Sequence, residues 1–424
     1  MMDILVVGGG GREHAMVWSL SQSPRAGKIY CAPGNAGIAK LAECVPIGVF
    51  EFDRLTAFAI EKQVGLVVIG PDDPLAAGIV DAFEAQHIPV FGPRKNAAEI
   101  EGSKTFMKDL LHKYNIPTAA YEKFDHYEAA LAYLREQSLP IVIKADGLAA
   151  GKGVTVAYSR EEAEQALADI MVNKVFGEAG AQVVIEEFLA GQEMSILAFV
   201  DGETVRPMPA AQDHKPIYDG DKGPNTGGMG TYSPLPHIDE AIIQEAIETI
   251  IKPTAKAMVA EGRSFSGVLF AGLMISPEGK PKTIEFNARF GDPETQVVLP
   301  RLKSDLLEIF LAVTEGRLAD IDIEWSDEAA VCVVLASGGY PGPYPKGVPI
   351  EGLEEENRQG GLIFHAGTAR DADGSWITNG GRVLGVVGLG ATIAEARLAA
   401  YARAEGISFS GKQNRTDIAV KALV

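Results

Sequence analysis

The chain has 424 residues, of which 46% are hydrophobic and 22% are charged, so it can bury a large core and is not dominantly disordered. A length in this range predicts about two to four domains. The formal net charge of −19 argues against nucleic acids and anionic membranes as partners. No apolar run approaches the roughly 18 residues of a membrane span. The cysteines are few and widely spaced and fit neither a disulfide framework nor a zinc site, so a cytoplasmic location is expected.

The first hundred residues alternate short apolar runs with helical patterns. Helices are predicted over Arg12–Ser21 and Leu75–Gln86. Four runs that end near Gly, Pro or Asn predict buried parallel strands: Asp3–Val7, Lys28–Tyr30, Leu66–Ile69 and Pro89–Phe91. This alternation is typical of a doubly wound α/β domain, which binds ligands at the carboxyl ends of its strands.

The rest of the chain predicts two further domains. Strands are expected at 140–145, 182–188, 196–200, 268–275 and 283–286, and helices at about 239–260 and 293–315. From about residue 329 onward, short strands and turns rich in Gly and Pro predict a small, mostly β domain that ends in a helix to about 405. We therefore predict a multidomain α/β and α+β protein, divided into 1–103, 104–328 and 329–424.

Four glycines, Gly8 to Gly11, lie between the first predicted strand and the first predicted helix. A dinucleotide-binding fingerprint needs glycine where this chain has Glu13 or His14, so NAD binding is not expected. Backbone amides at a helix N-terminus still suit an anion such as a sugar phosphate. The alternative is a tight turn that requires glycine, but four consecutive glycines favour the anion site.

Two other glycine-rich segments are similar to a P-loop without matching it. The segment that ends in Gly411 and Lys412 has Gln413 where magnesium binding needs Ser or Thr. The segment GLAAGKGV is one residue too short, but it follows a predicted strand that carries Lys144. A glycine-rich hairpin at that position could close over phosphates.

Glu285 and Asn287 are two residues apart on a predicted strand, so their side chains share one face. A carboxylate and an amide oxygen suit Mg²⁺, which takes further oxygens from water and phosphates. Arg289 is expected to point the same way and to neutralise a phosphoryl group during transfer. Asp292, followed by Pro293, predicts the N-cap of a helix. The alternative for the first pair is a solvated sheet face, which is less favoured because Asn is rare in strands.

The order of these segments resembles the ATP-grasp superfamily: EGSK with Lys104, VIKADG with Lys144, the GKGV loop, the EEFLAGQE hinge and the IEFN metal strand. Within that superfamily, the chain resembles the glycinamide ribonucleotide synthetase (phosphoribosylamine–glycine ligase) family almost end to end. The matching segments are VVGGGGREHA, APGNAG, IGPDDPLAAG, FGPRKNAAEIEGSK, IKADGLAAGKGV, QDHKPIYDGDKGPNTGGMGTYSP, NARFGDPETQ and FSGKQNRTDIA. The resemblance implies a monomeric ligase that joins glycine to 5-phosphoribosylamine with ATP and Mg²⁺ or Mn²⁺ in purine synthesis.

The resemblance also implies nucleotide and metal contacts. Lys104 and Lys144 would hold the ATP phosphates, Glu193 the ribose, and Glu285 with Asn287 the metal. The remaining nucleotide contacts fall in the loop of a lid at about 121–192 and in the hinge: Gly151, Lys152, Gly153, Val154, Glu186, Glu187, Phe188 and Leu189.

Phosphoribosylamine would bind between the first domain and the core, with its phosphate on the loop glycines and its hydroxyls near two polar side chains: Gly9, Gly10, Gly11, Asn35 and Asp72. Glycine would use Asp213 or Asp292 for its ammonium and Arg289 for its carboxylate. His214 and Lys215 lie in the same segment as Asp213 and are expected at the substrate. The expected catalytic residues are Arg289, Lys144, Asp213 and Asp292.

One departure from the superfamily concerns the metal ligands. Many ATP-grasp relatives carry a further acidic ligand on the preceding strand, whereas Leu269–Leu273 offers none here. Either the metal set is smaller or another group, such as Asp213, supplies an oxygen. Two alternative functions stay open: another ATP-grasp ligase or carboxylase, and a nucleotide-binding protein without turnover.

Overall fold

A computed structural model of the chain describes residues 1–149, 153–353 and 361–423. The predicted lid residues Gly151 and Lys152 lie outside these ranges. Within them, no helix has the length and apolar character needed to cross a bilayer.

The N-terminal part is a parallel sheet with helices packed on it, as predicted. Its elements are β1 Met2–Gly8, α1 Gly11–Leu20, β2 Ala26–Pro33, β3 Glu43–Cys44, α2 Phe52–Glu61, β4 Leu66–Ile69, α3 Asp72–Ala77, α4 Ile79–Glu84, β5 Val90–Phe91 and α5 Lys95–Gly102. The strand order is β3-β2-β1-β4-β5, and all pairs are parallel. Along β1, Leu5 and Val7 belong to one buried apolar cluster and Ile4 and Val6 to another. The strand is apolar on both faces because the sheet separates two cores.

The single helix predicted over Leu75–Gln86 is wrong, because the structure has two helices there, α3 and α4. Gly78 between them has φ of +95°, a left-handed conformation that breaks the helix. The apolar spacing continues across Gly78, and for that reason the break was not predicted.

Two antiparallel sheets make up most of the middle part. Its first elements are α6 Lys104–Lys113, β6 Tyr121–Phe124, α7 Tyr127–Glu136, β7 Ile141–Ala145, β8 Val154–Ala157, α8 Arg160–Met171, β9 Val183–Glu187, β10 Gln192–Asp201 and β11 Thr204–Pro207. The later ones are β12 Gln212–Asp213, β13 Pro216–Tyr218, β14 Lys222–Asn225, β15 Gly230–Ser233, α9 Glu240–Ala246, α10 Lys252–Ala260, β16 Ser266–Ile275 and β17 Pro281–Asn287. The orders are β6-β9-β7-β8 and β11-β10-β16-β17.

The hinge between these two sheets requires glycine at Gly191. Its φ is +151°, and a Cβ at this position would lie 1.9 Å from the carbonyl oxygen of Ile275. The chain therefore passes close to the end of β16 as it leaves β9 for β10.

The C-terminal sheet takes two strands from the middle of the chain. The last elements are α11 Thr295–Val298, α12 Leu306–Thr314, β18 Ala329–Ala336, β19 Leu362–His365, β20 Thr368–Arg370, β21 Trp376–Thr378, β22 Arg382–Gly390 and α13 Ile393–Glu405. The sheet order is β12-β15-β18-β22-β19. The predicted C-terminal β-rich part is thus built onto residues 212–233, and the division at 1–103, 104–328 and 329–424 remains our proposal.

The helix predicted over 293–315 is also interrupted, and its predicted cap is wrong. α11 ends at Val298, and α12 begins at Leu306. Glu294 is the N-cap of α11, and the peptide bond between Asp292 and Pro293 is cis. The Asp292 carboxylate contacts the side chains of Gln296 and Arg382.

Candidate functional site

The predicted metal residues lie at the end of β17. Glu285 and Asn287 are half-buried, whereas Phe286 between them is buried, as the alternation of a strand requires. Opposite them on β16 lie Gly272 and Phe270. A Cβ on Gly272 would come within 3.3 Å of Glu285 Cγ, so glycine leaves room for that carboxylate. The neighbouring strand supplies no acidic group here, as the sequence indicates.

The donor set fits a metal that also takes oxygens from a ligand. No cluster of three or more His, Cys, Asp or Glu side chains suited to a metal occurs in the described ranges. Magnesium needs octahedral coordination but binds through one or two carboxylates and substrate phosphates in many sites. Glu285 and Asn287 could therefore hold it together with phosphate oxygens.

Cations keep Glu285 ionised. Lys215 Nζ lies 3.9 Å from Glu285 Oε1 and 3.7 Å from Glu193 Oε2. Burial alone would raise the pKa of Glu285, but four charges hold it below its ordinary value: Lys215, Lys144, Lys104 and Arg289. The pKa of Lys215 is raised well above its ordinary value, chiefly by Glu193. The structure thus brings together the predicted ribose, substrate and metal residues.

Lys104 is the first residue of α6, and Asp146 organises that helix start. Asp146 Oδ1 accepts hydrogen bonds from the Thr105 amide at 2.6 Å and from the Ser103 hydroxyl at 3.1 Å. Lys104 Nζ donates to the Gly147 carbonyl oxygen at 3.2 Å, and burial lowers its pKa. The Lys104 ammonium therefore lies at the start of the predicted phosphate loop.

Lys144 is buried in an ion pair with Glu186. Its Nζ lies 2.8 Å from Glu186 Oε1 and 3.3 Å from the Ile284 carbonyl oxygen. Glu186 Oε2 lies 3.0 Å from Nζ of Lys108, which is fully buried. The carboxylate of Glu186, a predicted nucleotide contact, is thus held by two lysines, and the backbone of this residue is the part that could meet a base.

The hinge after Glu186 is more open. Glu187 Oε1 accepts from the Ala120 amide and from Lys282 Nζ, both at 3.0 Å. Phe188 and Leu189, which follow β9, are half-buried. Val154 is the first residue of β8, where it pairs with Lys144 of β7. The Gly153 carbonyl oxygen accepts from the Ala145 amide at 2.8 Å, which ties this end of the loop to the strand of Lys144.

Arg289 joins the metal strand to the N-terminal part. One of its terminal nitrogens, Nη2, lies 2.9 Å from Glu101 Oε1, 3.2 Å from Asn287 Oδ1 and 3.7 Å from Asp72 Oδ2. Its Nε is buried and has no hydrogen-bond partner among the described residues. Burial raises the pKa of Glu101 to about 7 despite the Arg289 charge. The Nε–H of Arg289 could therefore donate to an anionic group of a ligand.

Glu294, which is buried, and Asp213, which is half-buried, are two carboxyl groups beside Lys215. Desolvation raises the pKa of both groups, and the Asp213 charge further raises that of Glu294. Two such groups do not both ionise readily near neutral pH, so the site keeps a proton there.

This proton should be visible in the pH dependence of stability. A carboxyl group whose pKa is raised on folding stabilises the native state at low pH, and that contribution is lost as pH rises through the native pKa. Between pH 5.5 and 8 the unaltered protein should lose this contribution, whereas Glu294→Gln has none to lose. The free energy of unfolding of Glu294→Gln, taken relative to that of the unaltered protein, should therefore rise by about 1 kcal/mol or more over this range, since one pKa unit corresponds to about 1.4 kcal/mol. Thermal unfolding at both pH values measures this. The exposed control Glu203→Gln should follow the unaltered protein, and an identical trend for Glu294→Gln would contradict the assignment.

The glycine loop lies against Asp292. A Cβ on Gly10 would be 3.6 Å from Asp292 Oδ2, and the Gly10 amide donates to Glu13 Oε2 at 2.7 Å. Asp292 Oδ1 accepts from Gln296 Nε2 at 2.9 Å and lies 3.4 Å from Arg382 Nη2. The sites predicted for a phosphate on Gly9, Gly10 and Gly11 thus already border two carboxylates, so an anion there depends on neighbouring cations.

Arg12 and Arg382 are those cations. Burial would raise the pKa of Asp292, but Arg382 and Arg12 together hold it below its ordinary value. Arg382 Nη1 also donates to the backbone oxygens of Asp292 at 2.9 Å and Gly227 at 2.7 Å. The C-terminal part of the chain therefore supplies a charge to this edge of the site.

Asn35 and His214 make mainly structural contacts. Asn35 Nδ2 donates to the carbonyl oxygens of Gly9 at 2.9 Å and His365 at 2.8 Å, and its Oδ1 accepts from two amides. His214 is 2% exposed, and burial lowers its pKa to about 4, so it is neutral at pH 7. Their predicted substrate contacts stay predictions.

Sequence reasoning missed several charged residues at the site: Arg12, Glu101, Lys108, Glu294 and Arg382. Lys108 carried a signal, because it lies four residues after Lys104 on a helix face with buried Met107 and Leu111. A charge on an apolar helix face needs a buried partner. Glu101 and Arg382 meet their partners across large sequence distances, and no local pattern indicates such contacts.

Comparisons with known proteins give one consistent result. Family profiles of phosphoribosylglycinamide synthetase match residues 2–101 (N domain), 102–295 (ATP-grasp A domain) and 330–421 (C domain). The phosphoribosylamine–glycine ligases of Yersinia pestis and Escherichia coli K12 are each 51% identical over 100% of this chain and 99% of theirs.

Solved structures agree. A crystal structure of the phosphoribosylamine–glycine ligase from Thermotoga maritima aligns with a TM-score of 0.83 at 37% identity, covering 98% of this chain and 100% of that one. A biotin carboxylase from Campylobacter jejuni aligns with a TM-score of 0.73 at 14% identity, over 97% of this chain and 93% of that one. The second likeness shows a shared fold alone.

Proposed function

Because the chain belongs to the phosphoribosylglycinamide synthetase family, we propose that it joins glycine to 5-phosphoribosylamine with ATP, giving 5-phosphoribosylglycinamide, ADP and phosphate in purine synthesis. The observation that carries this proposal is the arrangement of Glu285 and Asn287 on one side of β17 with Lys104, Lys144 and Arg289, whose charges help to hold the pKa of Glu285 below its ordinary value. These groups come from α6, β7 and the end of β17 and lie around one site. A nucleoside triphosphate bound there with a metal ion would balance the charges of the side chains.

The first step activates the glycine carboxylate. A carboxylate does not react with an amine at neutral pH, because oxide is a very poor leaving group. A glycine oxygen attacks the γ-phosphorus, the bond to the β,γ-bridging oxygen breaks, and ADP leaves with glycyl phosphate formed. Lys104, Lys144 and Arg289 reduce the repulsion between the anionic nucleophile and the phosphates.

Glu285 and Asn287 would hold Mg²⁺ or Mn²⁺ during this step. When bound, such an ion neutralises charge on the transferring phosphoryl oxygens. The residues themselves contribute a low-pKa carboxylate and an amide oxygen, and Arg289 donates to Asn287 Oδ1 at 3.2 Å, which orients that oxygen.

The second step forms the amide. The amine of phosphoribosylamine attacks the acyl carbon, phosphate leaves, and the nitrogen loses a proton. Water must be excluded, because an acyl phosphate hydrolyses readily. The small sheet of β6 to β9, with Gly153 in its loop and Val154 at the start of β8, is the part that would close over the nucleotide.

Arg289 is the best-supported contact for the glycine carboxylate. Its buried Nε has no partner among the described residues, while Glu101 and Asn287 hold the rest of the guanidinium in place. The glycine ammonium would lie near Asp213 or Asp292. Phosphoribosylamine would reach the same place from the glycine loop and Asp72, since Asp72 lies 3.7 Å from Arg289.

The proposed setting is a cytoplasmic monomer that acts on glycine, 5-phosphoribosylamine and ATP and binds no nucleic acid. The acidic net charge of −19 supports the last point.

The substrate requirement of ADP release tests the proposal. The purified protein is incubated with ATP and Mg²⁺ and with glycine, phosphoribosylamine, both, or bicarbonate in place of glycine. We expect rapid ADP release with both substrates together. ADP release that needs bicarbonate and not glycine would favour a carboxylase instead.

A further inference from the structure

Lys108 is a buried charge that the chemistry above does not use. It is 0% exposed on a helix face that also buries Met107 and Leu111. Its Nζ lies 2.7 Å from Thr118 Oγ1 and 3.0 Å from Glu186 Oε2. Because Lys108 is fully buried, any effect on a bound nucleotide passes through the groups that it contacts, of which Glu186 is the charged one.

The charges of Lys108, Glu186 and Lys144 do not balance. Two ammonium groups share one carboxylate, so the group carries a net charge of about +1 if both lysines are protonated. Burial lowers the pKa of Lys108 to about 8, which leaves it mostly protonated at pH 7. A buried ion pair needs one partner for each charge, and burying a second lysine costs free energy. Lys144 also helps to lower the pKa of Glu285, so the surplus charge of the group adds to the positive potential that an anionic ligand meets beside that carboxylate.

Hydrogen bonds to β17, the strand that carries the predicted metal residues, fix the positions of the two lysines. Thr118 Oγ1, which accepts from Lys108, donates to the Thr283 carbonyl oxygen at 2.9 Å. Lys144 Nζ donates to the next carbonyl, that of Ile284, directly before Glu285. The group thus joins α6, the hinge strand β9 and the strand that carries the metal residues.

We propose that Lys108 is a positioning residue for the nucleotide phosphates: it neutralises Glu186, so that the charge of Lys144 is available to an anionic ligand. Without Lys108, Lys144 and Glu186 form a neutral pair that attracts phosphate weakly. With Glu186 also removed, Lys144 again presents an unbalanced positive charge. This inference rests on the proposed function, which puts ATP phosphates near Lys144.

Binding of ADP and adenosine by calorimetry tests the proposal, with EDTA present so that protein charges alone act on the phosphates. For Lys108→Met we expect the Kd of ADP to rise about tenfold and that of adenosine to change less than about twofold. For Lys108→Met combined with Glu186→Gln, the Kd of ADP should return to within about threefold of the original value. A purely structural role would weaken both ligands and would not be rescued by removing a second charge.

Matched variants complete the experiment. Lys113→Met removes an exposed lysine from the same helix and should leave ADP binding unchanged. Lys108→Gln makes the same charge change if Lys108→Met does not fold. An unchanged Kd of ADP in the neutral variants, an equal loss of adenosine binding, or no rescue in the double variant would overturn the inference. If the unaltered protein binds no ADP even when Mg²⁺ replaces EDTA, the proposed function itself fails.

Discussion

Glu285→Ala is expected to lower kcat by about 10²–10³-fold or more while the protein stays folded. The carboxylate is half-buried at a strand end, so the substitution would remove the proposed anionic ligand of the metal without opening a core cavity. Steady-state ADP release at saturating substrates measures kcat, and circular dichroism with thermal unfolding checks the fold. Raising the Mg²⁺ concentration should recover part of the activity if the residue binds the metal.

Glu278→Ala is the matched control for this variant, because Glu278 is an exposed glutamate in the turn that joins β16 to β17. Its kcat should stay within about twofold of the unaltered protein. Near-normal activity of Glu285→Ala in Mg²⁺ would contradict the metal assignment.

Arg289→Lys is expected to lower kcat/KM for glycine by about 100-fold or more, although the positive charge is kept. Lysine cannot hold Glu101 and Asn287 and still present a further donor in the plane of a guanidinium. The Kd of ADP should change by less than about threefold, because Lys104 and Lys144 are unaltered. Initial rates against glycine concentration, together with calorimetry of ADP, separate the two effects.

Arg263→Lys provides the control, since Arg263 is also a half-buried arginine that pairs with a glutamate, Glu99, but it lies after α10, with its guanidinium over the Phe106 ring. It should leave both constants unchanged. If Arg289→Lys alters ADP affinity as strongly as glycine utilisation, the guanidinium acts on the nucleotide and not on glycine.

The parts of the fold that depend on local pattern could be predicted from the sequence. The strand around Leu66–Ile69 was found residue for residue, because a buried parallel strand is apolar on both faces. Glu285 and Asn287 were paired correctly because strand geometry puts residues two apart on one side. The break at Gly78 was missed because the spacing of apolar residues continues across it and carries no information on the backbone angle φ of a glycine.

Contacts between distant segments could not be predicted in the same way. Asp292 had the residue type and spacing of a helix cap, yet the chain turns so that its carboxylate meets Arg382, which is 90 residues away. No local pattern gives Glu101 a partner, but the packing of the chain buries it beside Arg289, and burial raises its pKa to about 7 although the Arg289 charge acts in the opposite direction. Such environments arise only when the separate parts pack together.

The fate of the glycine oxygens tests the central claim, that glycine is activated as an acyl phosphate, most directly. Glycine with both carboxylate oxygens carrying a heavy isotope is supplied with ATP, Mg²⁺ and phosphoribosylamine, and the products are examined by mass spectrometry. The account predicts ADP as the nucleotide product, with one labelled oxygen in inorganic phosphate and the other in the new amide. Unlabelled phosphate, or AMP and pyrophosphate as the products, would contradict it.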